Sequence, residues 1–397
     1  MTQSVPNTQT QWLEVIFLWL AGVSAAMQFA KLSVSYDAVM MHYQTGATLT
    51  GLTLSVVGIA GLIFGVFAGM IANRIGYLKV LVGALFLGGV LSFLQSLLPH
   101  FSLFLLTRLL EGFSQLGVVV AAPTLIAKLS APQHRSLTMG LWGTFFGVAF
   151  AITGWLGKSA LDQLGLHGLF LSHALLISGF GVVLHFLLRK NPVLDFVPVA
   201  GGQSRLLAQM LSIYRNPRSL YPSLVFVFYT CTLVSLLTYI PRFVENEAIR
   251  ASMLVVLPLI STGGTFLAGA LGQYFMRPQK VALIAYFGVA ITALMLPFLI
   301  AQTVFFSLVV AATTLCLGMI PGAALAMIPS LARNPVEQAQ GYGLIAQFGN
   351  LGATLGPPTF AAVITGFGIT GFSSLVLIIC SCGVLFSYLA SRIQQPS

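Results

Sequence analysis

Two oppositely charged residues, Arg108 and Glu111, stand three positions apart inside a long apolar run from 101 to 129. Residues at this spacing share one face of a helix, and Gln115 continues that face. Ionisable residues inside a bilayer are rare and usually mark a functional site. Burial favours the neutral carboxyl and a nearby Arg favours the charged one, so Glu111 could act as a protonatable switch. The alternative is a structural ion pair that only neutralises two charges.

The first apolar run, 14–40, contributes a cation of its own. Lys31 lies about 17 residues into this run, with Gln28 and Ser35 on the same helical face. Such a cation could bind an anionic group of a substrate or pair with Glu111, or it could snorkel to the outer interface. Asp37 lies nearer the outer end, where a solvated cap, a gate residue and a coupling site all fit its position.

The second half of the chain contributes polar candidates and no deeply embedded charge. Aromatic and amide groups there could orient a substrate against the charged first half. Each of them singly is more often used in packing or in hydrogen bonds between helices. These candidates are Tyr229, Tyr239, Gln347 and Asn350.

The composition indicates that these residues sit in membrane-spanning helices. The 397 residues are 57% hydrophobic and 7% charged, whereas about a quarter of a soluble protein is charged. The net charge of +10 does not indicate nucleic acid, because the basic residues fall in short gaps between apolar runs. The four cysteines lie inside apolar runs, which is typical of small core residues and not of disulfides or metal ligands. We expect an all-α polytopic membrane protein in a lipid bilayer.

Twelve apolar runs are long enough to cross a bilayer, which takes about 20 residues each. The first eleven residues are polar and uncharged, so we expect the first run to be a retained helix and not a cleaved signal peptide. The predicted spans are 14–40, 48–72, 78–98, 101–129, 136–160, 167–188, 219–243, 250–275, 280–301, 304–331, 337–365 and 371–391.

The basic residues predict the orientation of these spans. With a cytoplasmic amino terminus, 13 of the 18 Lys and Arg residues lie in cytoplasmic gaps and 3 in outer gaps, and Lys31 and Arg108 remain inside spans. This bias satisfies the positive-inside rule, which places both termini in the cytoplasm. We expect the membrane to be the inner membrane of a bacterium.

The halves of the chain resemble each other. Gly69 and Arg74 lie five residues apart at the end of the second span. Gly272 and Arg277 have the same spacing at the end of the eighth span, about half the chain later. Parallel repeats of six spans are typical of one transporter architecture, with the substrate near the midplane between them. The predicted domains are a bundle at 1–188, a linker at 189–218 that could form a short amphipathic helix over 205–211, and a bundle at 219–397.

Two motifs resemble signatures of the major facilitator superfamily. The segment from Gly69 to Lys79 is similar to the loop 2–3 signature, with Asn73 in place of its Asp and Tyr77-Leu78 where a basic residue is usual. The run Arg108-x-x-Glu111-Gly112 is similar to the span 4 signature, whose Arg is implicated in proton coupling. The resemblance implies two six-helix bundles related by a pseudo-two-fold axis around a central cavity. This cavity would open alternately to each side of the membrane. The resemblance also implies a cytoplasmic latch built from Gly69, Asn73, Arg74, Gly76 and Lys79.

The prediction of function is a secondary transporter for a small anionic or zwitterionic organic solute, coupled to protons. Two cations against one deep carboxylate favour an anion. The chain lacks a Walker A motif and a zinc-protease motif, which disfavours ATP-driven transport and an enzyme, and we expect no cofactor and no metal. It also lacks basic runs with interleaved aromatics, so no nucleic acid is expected. Alternatives are a proton-driven efflux pump for drugs or siderophore-like metabolites and a non-transporting receptor. We expect a monomer.

Overall fold

A computed structural model describes residues 9–131, 134–191, 213–333 and 335–393. Within these ranges the regular structure is helical and no strand occurs. Most of the predicted linker, including the amphipathic segment 205–211, lies outside the described residues. The prediction of an all-α architecture is therefore confirmed for the part of the chain that can be described.

The first nine helices follow one another with short breaks. A π-helical turn at Thr153–Gly157 separates the eighth helix from the ninth. The helices are α1 Trp12–Val34, α2 Tyr36–Tyr43, α3 Ala47–Ser55, α4 Val57–Ile75, α5 Tyr77–Ser96, α6 Phe101–Leu129, α7 Arg135–Gly143, α8 Phe145–Ile152 and α9 Lys158–Leu188.

Five long helices make up the rest of the described chain. A 3₁₀ turn at Ile240–Phe243 ends the first of them. They are α10 Pro217–Tyr239, α11 Glu247–Tyr274, α12 Pro278–Leu299, α13 Thr303–Leu331 and α14 Pro335–Ser391.

The twelve predicted spans are consistent with these helices when bent and kinked helices are counted by their parts. Nine described helices are long and apolar enough to cross a membrane, and the pair Ala47–Ser55 and Val57–Gly65, bent by 44°, adds a tenth. Two of the nine, Phe145–Leu188 and Gln340–Ser391, have 44 and 52 residues, about twice the length of one span. Each turns at a glycine with a left-handed backbone, Gly165 with φ of 66° and Gly368 with φ of 56°. Each of these two helices therefore supplies two spans.

The described residues group into two compact units. Residues 9–43 and 63–191 form the first, and residues 44–62 with 213–393 form the second. The predicted bundle boundaries at 188 and 219 stay a prediction. What the sequence did not suggest is that residues 44–62 pack against α14. Glycines make this approach possible, because a Cβ at Gly58 would overlap the side-chain oxygen of Thr354.

In the first unit, α1 packs against α6, α8 and α9, and α5 packs against α6 and α9. A contiguous apolar core joins α1, α5, α6 and α9, with Leu81, Leu125 and Leu184 among its buried members. The ring of Trp142 lies over Gly22, where it fills the space that a Cβ would need. The C-terminal half of α1, which carries Gln28 and Lys31, faces polar residues of α5, α6 and α9.

In the second unit, a cluster around Glu337 fixes the junction between α13 and α14. The Glu337 carboxylate accepts hydrogen bonds from the Arg333 backbone N–H at 2.6 Å and from its guanidinium at 3.2 Å. The side-chain amide of Asn216 also donates to it. Arg218 donates to the Leu331 carbonyl at 2.7 Å, so the start of α10 is tied to the same junction.

Replacing Glu337 with Ala is expected to lower the free energy of unfolding by about 1 kcal/mol, because Asn216 and the Arg333 backbone lose their acceptor and water replaces part of it. Thermal unfolding of the purified protein would measure this loss. The matched control is Glu245→Ala, which removes an exposed carboxylate and should leave the melting temperature unchanged. Equal melting temperatures for the two variants would contradict this role of Glu337.

The stability that the Glu337 cluster contributes should not change with pH near neutrality. Burial raises the pKa of Glu337, but hydrogen bonds from Arg333 and Asn216 outweigh burial and lower this pKa from the usual 4.5 to about 2. The stability that the carboxylate contributes is therefore fully present above pH 4.5 and is lost only as the pH falls toward 2. A pH dependence of unfolding or transport near neutral pH would have to come from another group.

Candidate functional site

A buried polar cluster joins α1, α5, α6 and α9 in the first unit. Lys31 of α1 donates from Nζ to Glu111 Oε1 of α6 at 2.7 Å and to Gln95 Oε1 of α5 at 2.7 Å. Its third proton is directed to the Ser92 hydroxyl. The Phe170 ring lies 5.4 Å from the same nitrogen, so its face adds a weaker attraction. The ammonium group thus has an acceptor for each of its three donors.

The Glu111 carboxylate is shared between two cations. Lys31 contacts Oε1, and Arg108 donates to Oε2, as does the Gln95 amide at 2.8 Å. Arg108 also donates to the backbone carbonyl of Gln28 at 2.8 Å, which ties α6 to α1. Lys31, Arg108 and Glu111 have 0% exposure. In a medium of low polarity, charges are tolerated only when they are paired and hydrogen-bonded.

A chain of hydrogen bonds extends from Lys31 to His173 of α9. His173 Nε2 lies 2.9 Å from the Ser24 carbonyl, which can only accept, so Nε2 carries the proton. In the neutral ring Nδ1 is then the acceptor, and the Ser92 hydroxyl donates to it at 2.6 Å. Ser92 in turn accepts from Lys31. This order of donors and acceptors could transfer a proton between His173 and Lys31.

The sequence alone indicated no functional role for Ser92, Gln95 or His173. A signal was present, because Ser92 and Gln95 lie three residues apart and so share one face of a mostly apolar helix. Single Ser, Gln and His residues also occur in membrane helices for packing, so their types alone did not distinguish them. Their positions opposite Lys31 depend on the packing of α5 and α9 against α1.

The remaining predicted residues of the first half have different surroundings. Gln28 donates to the Ser114 hydroxyl at 2.9 Å. Gln115 is buried, and its Oε1 has no partner among the described residues. Asp37 is exposed in the first turn of α2 and does not enter the cluster. The structure thus brings together Lys31, Gln28, Arg108 and Glu111, and it leaves Asp37 apart.

The predicted residues of the second half lie in the second unit. Tyr239 donates to the Pro357 carbonyl at 2.9 Å, and Gln347 donates to the Leu62 carbonyl at 2.6 Å. Tyr229 lies near Ser261. The Asn350 amide donates to the Ala346 carbonyl of its own helix at 3.1 Å. Tyr239, Gln347 and Asn350 therefore each have a hydrogen-bond partner inside the second unit.

The predicted latch residues lie at the end of α4 and the start of α5. Arg74 and Lys79 are exposed. Gly76 has φ of 105°, a left-handed conformation that only glycine adopts without strain, and it begins the turn into α5. Gly69 and Asn73 belong to α4, but the side chain of Asn73 lies outside the described part of the chain. The latch stays a prediction.

A cavity of about 260 Å³ reaches the cluster from one side of the first unit. Lys31 and His173 lie at its floor, and its walls come from α1, the π-helical turn and α9. Lys31 is fully buried and belongs to the lining of this cavity, and its role as a cation that binds a substrate stays a prediction. Among the described residues, no group of His, Cys, Asp and Glu could hold a metal ion.

Comparisons with known proteins show which proteins the whole chain resembles. The family profile described as Major Facilitator Superfamily matches residues 18–357. The Multidrug resistance protein MdtG of Klebsiella pneumoniae (strain 342) is 27% identical over 98% of this chain and 93% of that protein. The Inner membrane transport protein YajR of Escherichia coli (strain K12) is 31% identical over 128 residues, which are 32% of this chain and 28% of that protein.

The fold is similar to that of solved structures. A bacterial homolog to the human lysosomal transporter Spinster, in an inward-facing and unoccupied conformation, superposes with a TM-score of 0.73 at 15% identity. The superposition covers 96% of this chain and 97% of that chain. At this identity the likeness supports the fold alone.

Proposed function

The chain belongs to the Major Facilitator Superfamily, a multi-pass membrane transporter family and not an enzyme family, and we propose that it moves a small organic anion or zwitterion by alternating access. We further propose that protons drive this movement. The observation that carries the proposal is the Glu111 carboxylate, which is buried and shared between Lys31 and Arg108. Two cations on one carboxylate leave a net positive charge that an anionic group of a solute would neutralise.

Competition for Lys31 supplies the coupling mechanism. A solute carboxylate that contacts Lys31 would weaken its contact with Glu111. Glu111 would then lose part of the attraction that keeps it ionised, while burial continues to favour its neutral form. Proton uptake by Glu111 would follow solute binding, and the exit of the solute would return Lys31 to Glu111 and release the proton.

Flux in proteoliposomes tests this proposal directly. A panel of labelled organic anions, zwitterions and lipophilic cations is offered with a pH gradient imposed in each direction, and an entrapped pH dye reports the movement of protons. We expect proton flux that depends on an anionic or zwitterionic solute. Movement of lipophilic cations alone would show that the anion assignment is wrong, and binding without flux would indicate a receptor.

Efflux of drugs is the second candidate function. It is favoured by the 27% identity to the Multidrug resistance protein MdtG over nearly the whole chain. In that case the physiological direction is export. The same panel of solutes would reveal export, because the direction of the pH gradient that supports solute accumulation in the proteoliposomes gives the direction of transport. The basic residues of the gaps support a cytoplasmic location for both termini. We also propose a bacterial inner membrane as the location and a monomer as the transporting unit.

We also propose that the contact between residues 44–62 and α14 opens and closes during alternating access. A Cβ at Gly58 would lie 2.8 Å from the Asn350 carbonyl oxygen, which is backbone and cannot rotate away. Gly58→Leu is therefore expected to destabilise the packed arrangement by about 1–3 kcal/mol. Labelling of a Thr354→Cys variant by a membrane-impermeant maleimide, after removal of the native cysteines, should increase about tenfold.

The matched control for this prediction is Gly65→Leu. A Cβ at Gly65 meets no heavy atom within 4 Å, so this variant should label and transport as the parent protein does. If Gly58→Leu and Gly65→Leu give the same labelling rate at the thiol introduced by Thr354→Cys, residues 44–62 do not gate access to α14.

A further inference from the structure

The side pocket is a distinct feature of the first unit. We use this name for the cavity of about 260 Å³ between α1, the π-helical turn Thr153–Gly157 and α9. Its walls are mainly apolar, and Lys31 and His173 are the ionisable groups at its floor. π-helical turns are rare and occur frequently at functional sites. The lining is Met27, Lys31, Ile152, Thr153, Leu156, Gly157, Ala160, Leu169, Ser172, His173 and Leu176.

The rim of the side pocket is apolar and exposed. Leu156 and Leu176 are 54% and 41% exposed, and the neighbouring Leu175 is 69% exposed. Exposed leucines in spanning helices are surface that acyl chains solvate. A molecule that enters the pocket therefore comes from an apolar phase and needs an apolar body of its own.

The ion pairs described for the cluster leave its charge unbalanced. With Lys31 and Arg108 protonated and Glu111 ionised, the cluster carries one net positive charge. The sequence contains no Asp or Glu other than Glu111 between Asp37 and Asp162, and Asp37 is exposed. Glu14 is 17 residues before Lys31 on α1, about 25 Å along the helix. An anion next to Lys31 would balance the cluster.

We propose that the side pocket binds a small organic anion with an apolar body, of the class of medium-chain carboxylates. Its carboxylate takes the place of Glu111 as acceptor of one Lys31 proton. Its alkyl chain lies against Met27, Leu156 and Leu176. The volume fits this class. About 260 Å³ equals the liquid volume of about nine waters, and a medium-chain carboxylate has a similar number of non-hydrogen atoms. The site rests on the same cluster as the proposed function, but binding there does not require that the chain transport the ligand.

Photolabelling of the full chain tests this site without a transport assay. The protein is placed in nanodiscs of phosphatidylcholine, and an octanoate analogue with a diazirine at its chain end is crosslinked and mapped by mass spectrometry. We expect crosslinks within 152–160 and 169–176 that excess octanoate reduces about tenfold, while octanol, which lacks the charge, does not. Equal competition by octanoate and octanol would overturn the anion site.

Two variants on α9 separate the side pocket from general lipid contact. Ala160→Trp places a ring inside the pocket and should reduce these crosslinks about tenfold. Gly179→Trp places the same ring where a Cβ meets no atom within 4 Å, and it should leave them unchanged. Undiminished labelling of a folded Ala160→Trp variant would overturn the proposal, and the octanol competition decides the question if this variant does not fold. Labelling at the pocket without flux of any solute would contradict the proposed function and leave the binding site standing.

Discussion

Replacing Glu111 with Gln is expected to lower the free energy of unfolding by about 3–5 kcal/mol, the usual cost of removing one partner from a buried ion pair. The loss is large because two cations, Lys31 and Arg108, depend on this one carboxylate and have 0% exposure. The variant leaves them facing each other without a counter-charge. Thermal unfolding of the purified variant beside the parent protein measures the effect.

A second substitution shows whether charge is the cause. Adding Lys31→Gln to Glu111→Gln removes one of the two unpaired cations and is expected to recover part of the lost stability. The matched control for loss of a carboxylate is Asp162→Asn, which breaks an exposed pair with Lys158 and should cost at most about 1 kcal/mol. A double variant that is less stable than Glu111→Gln would contradict this electrostatic explanation.

The class and the span pattern of this chain could be predicted from the sequence because the bilayer imposes them. A span needs about 20 apolar residues, and each run of this length falls on a described helix, a part of one, or consecutive helices with short breaks. The predicted gaps at 161–166 and 366–370 contain Gly165 and Gly368, the two glycines at which the long helices kink. The packing of residues 44–62 against α14 could not be predicted, because glycines permit close approach without indicating which helix approaches.

The cluster was predictable in part for a similar reason. Arg108 and Glu111 are neighbours on one helix, so their spacing alone places them together. The pairing of Lys31 with Glu111 connects positions 80 residues apart, and only the high cost of an isolated charge in a membrane suggested it. Ser92, Gln95 and His173 carry no formal charge in the cluster. Their contribution therefore became visible only when the packing of α5 and α9 on α1 placed them around Lys31.

Lys31→Gln is expected to reduce solute-dependent proton flux about tenfold or more while leaving the protein folded. Removing Lys31 leaves Arg108 paired with Glu111, so the buried cluster becomes neutral and no charge is left without a partner. What is lost is the cation at the floor of the side pocket, and hydrogen bonds to a charged group contribute about 1.5–3 kcal/mol. That range corresponds to a loss in anion affinity of about tenfold to a hundredfold. Proton uptake with a panel of organic anions in proteoliposomes measures it.

Two further substitutions make the role of Lys31 specific. Lys158→Gln removes a partly exposed Lys from its pair with Asp162 and should leave the proton flux unchanged. Arg108→Gln also makes the cluster neutral, but Arg108 does not line the side pocket, so the apparent affinity for the anion should fall less than with Lys31→Gln. If the apparent affinity falls equally in both variants, net charge controls the site and Lys31 has no direct contact with the anion. If Lys31→Gln transports with the parent protein's affinity and proton flux, neither the anion nor the coupling depends on this cluster.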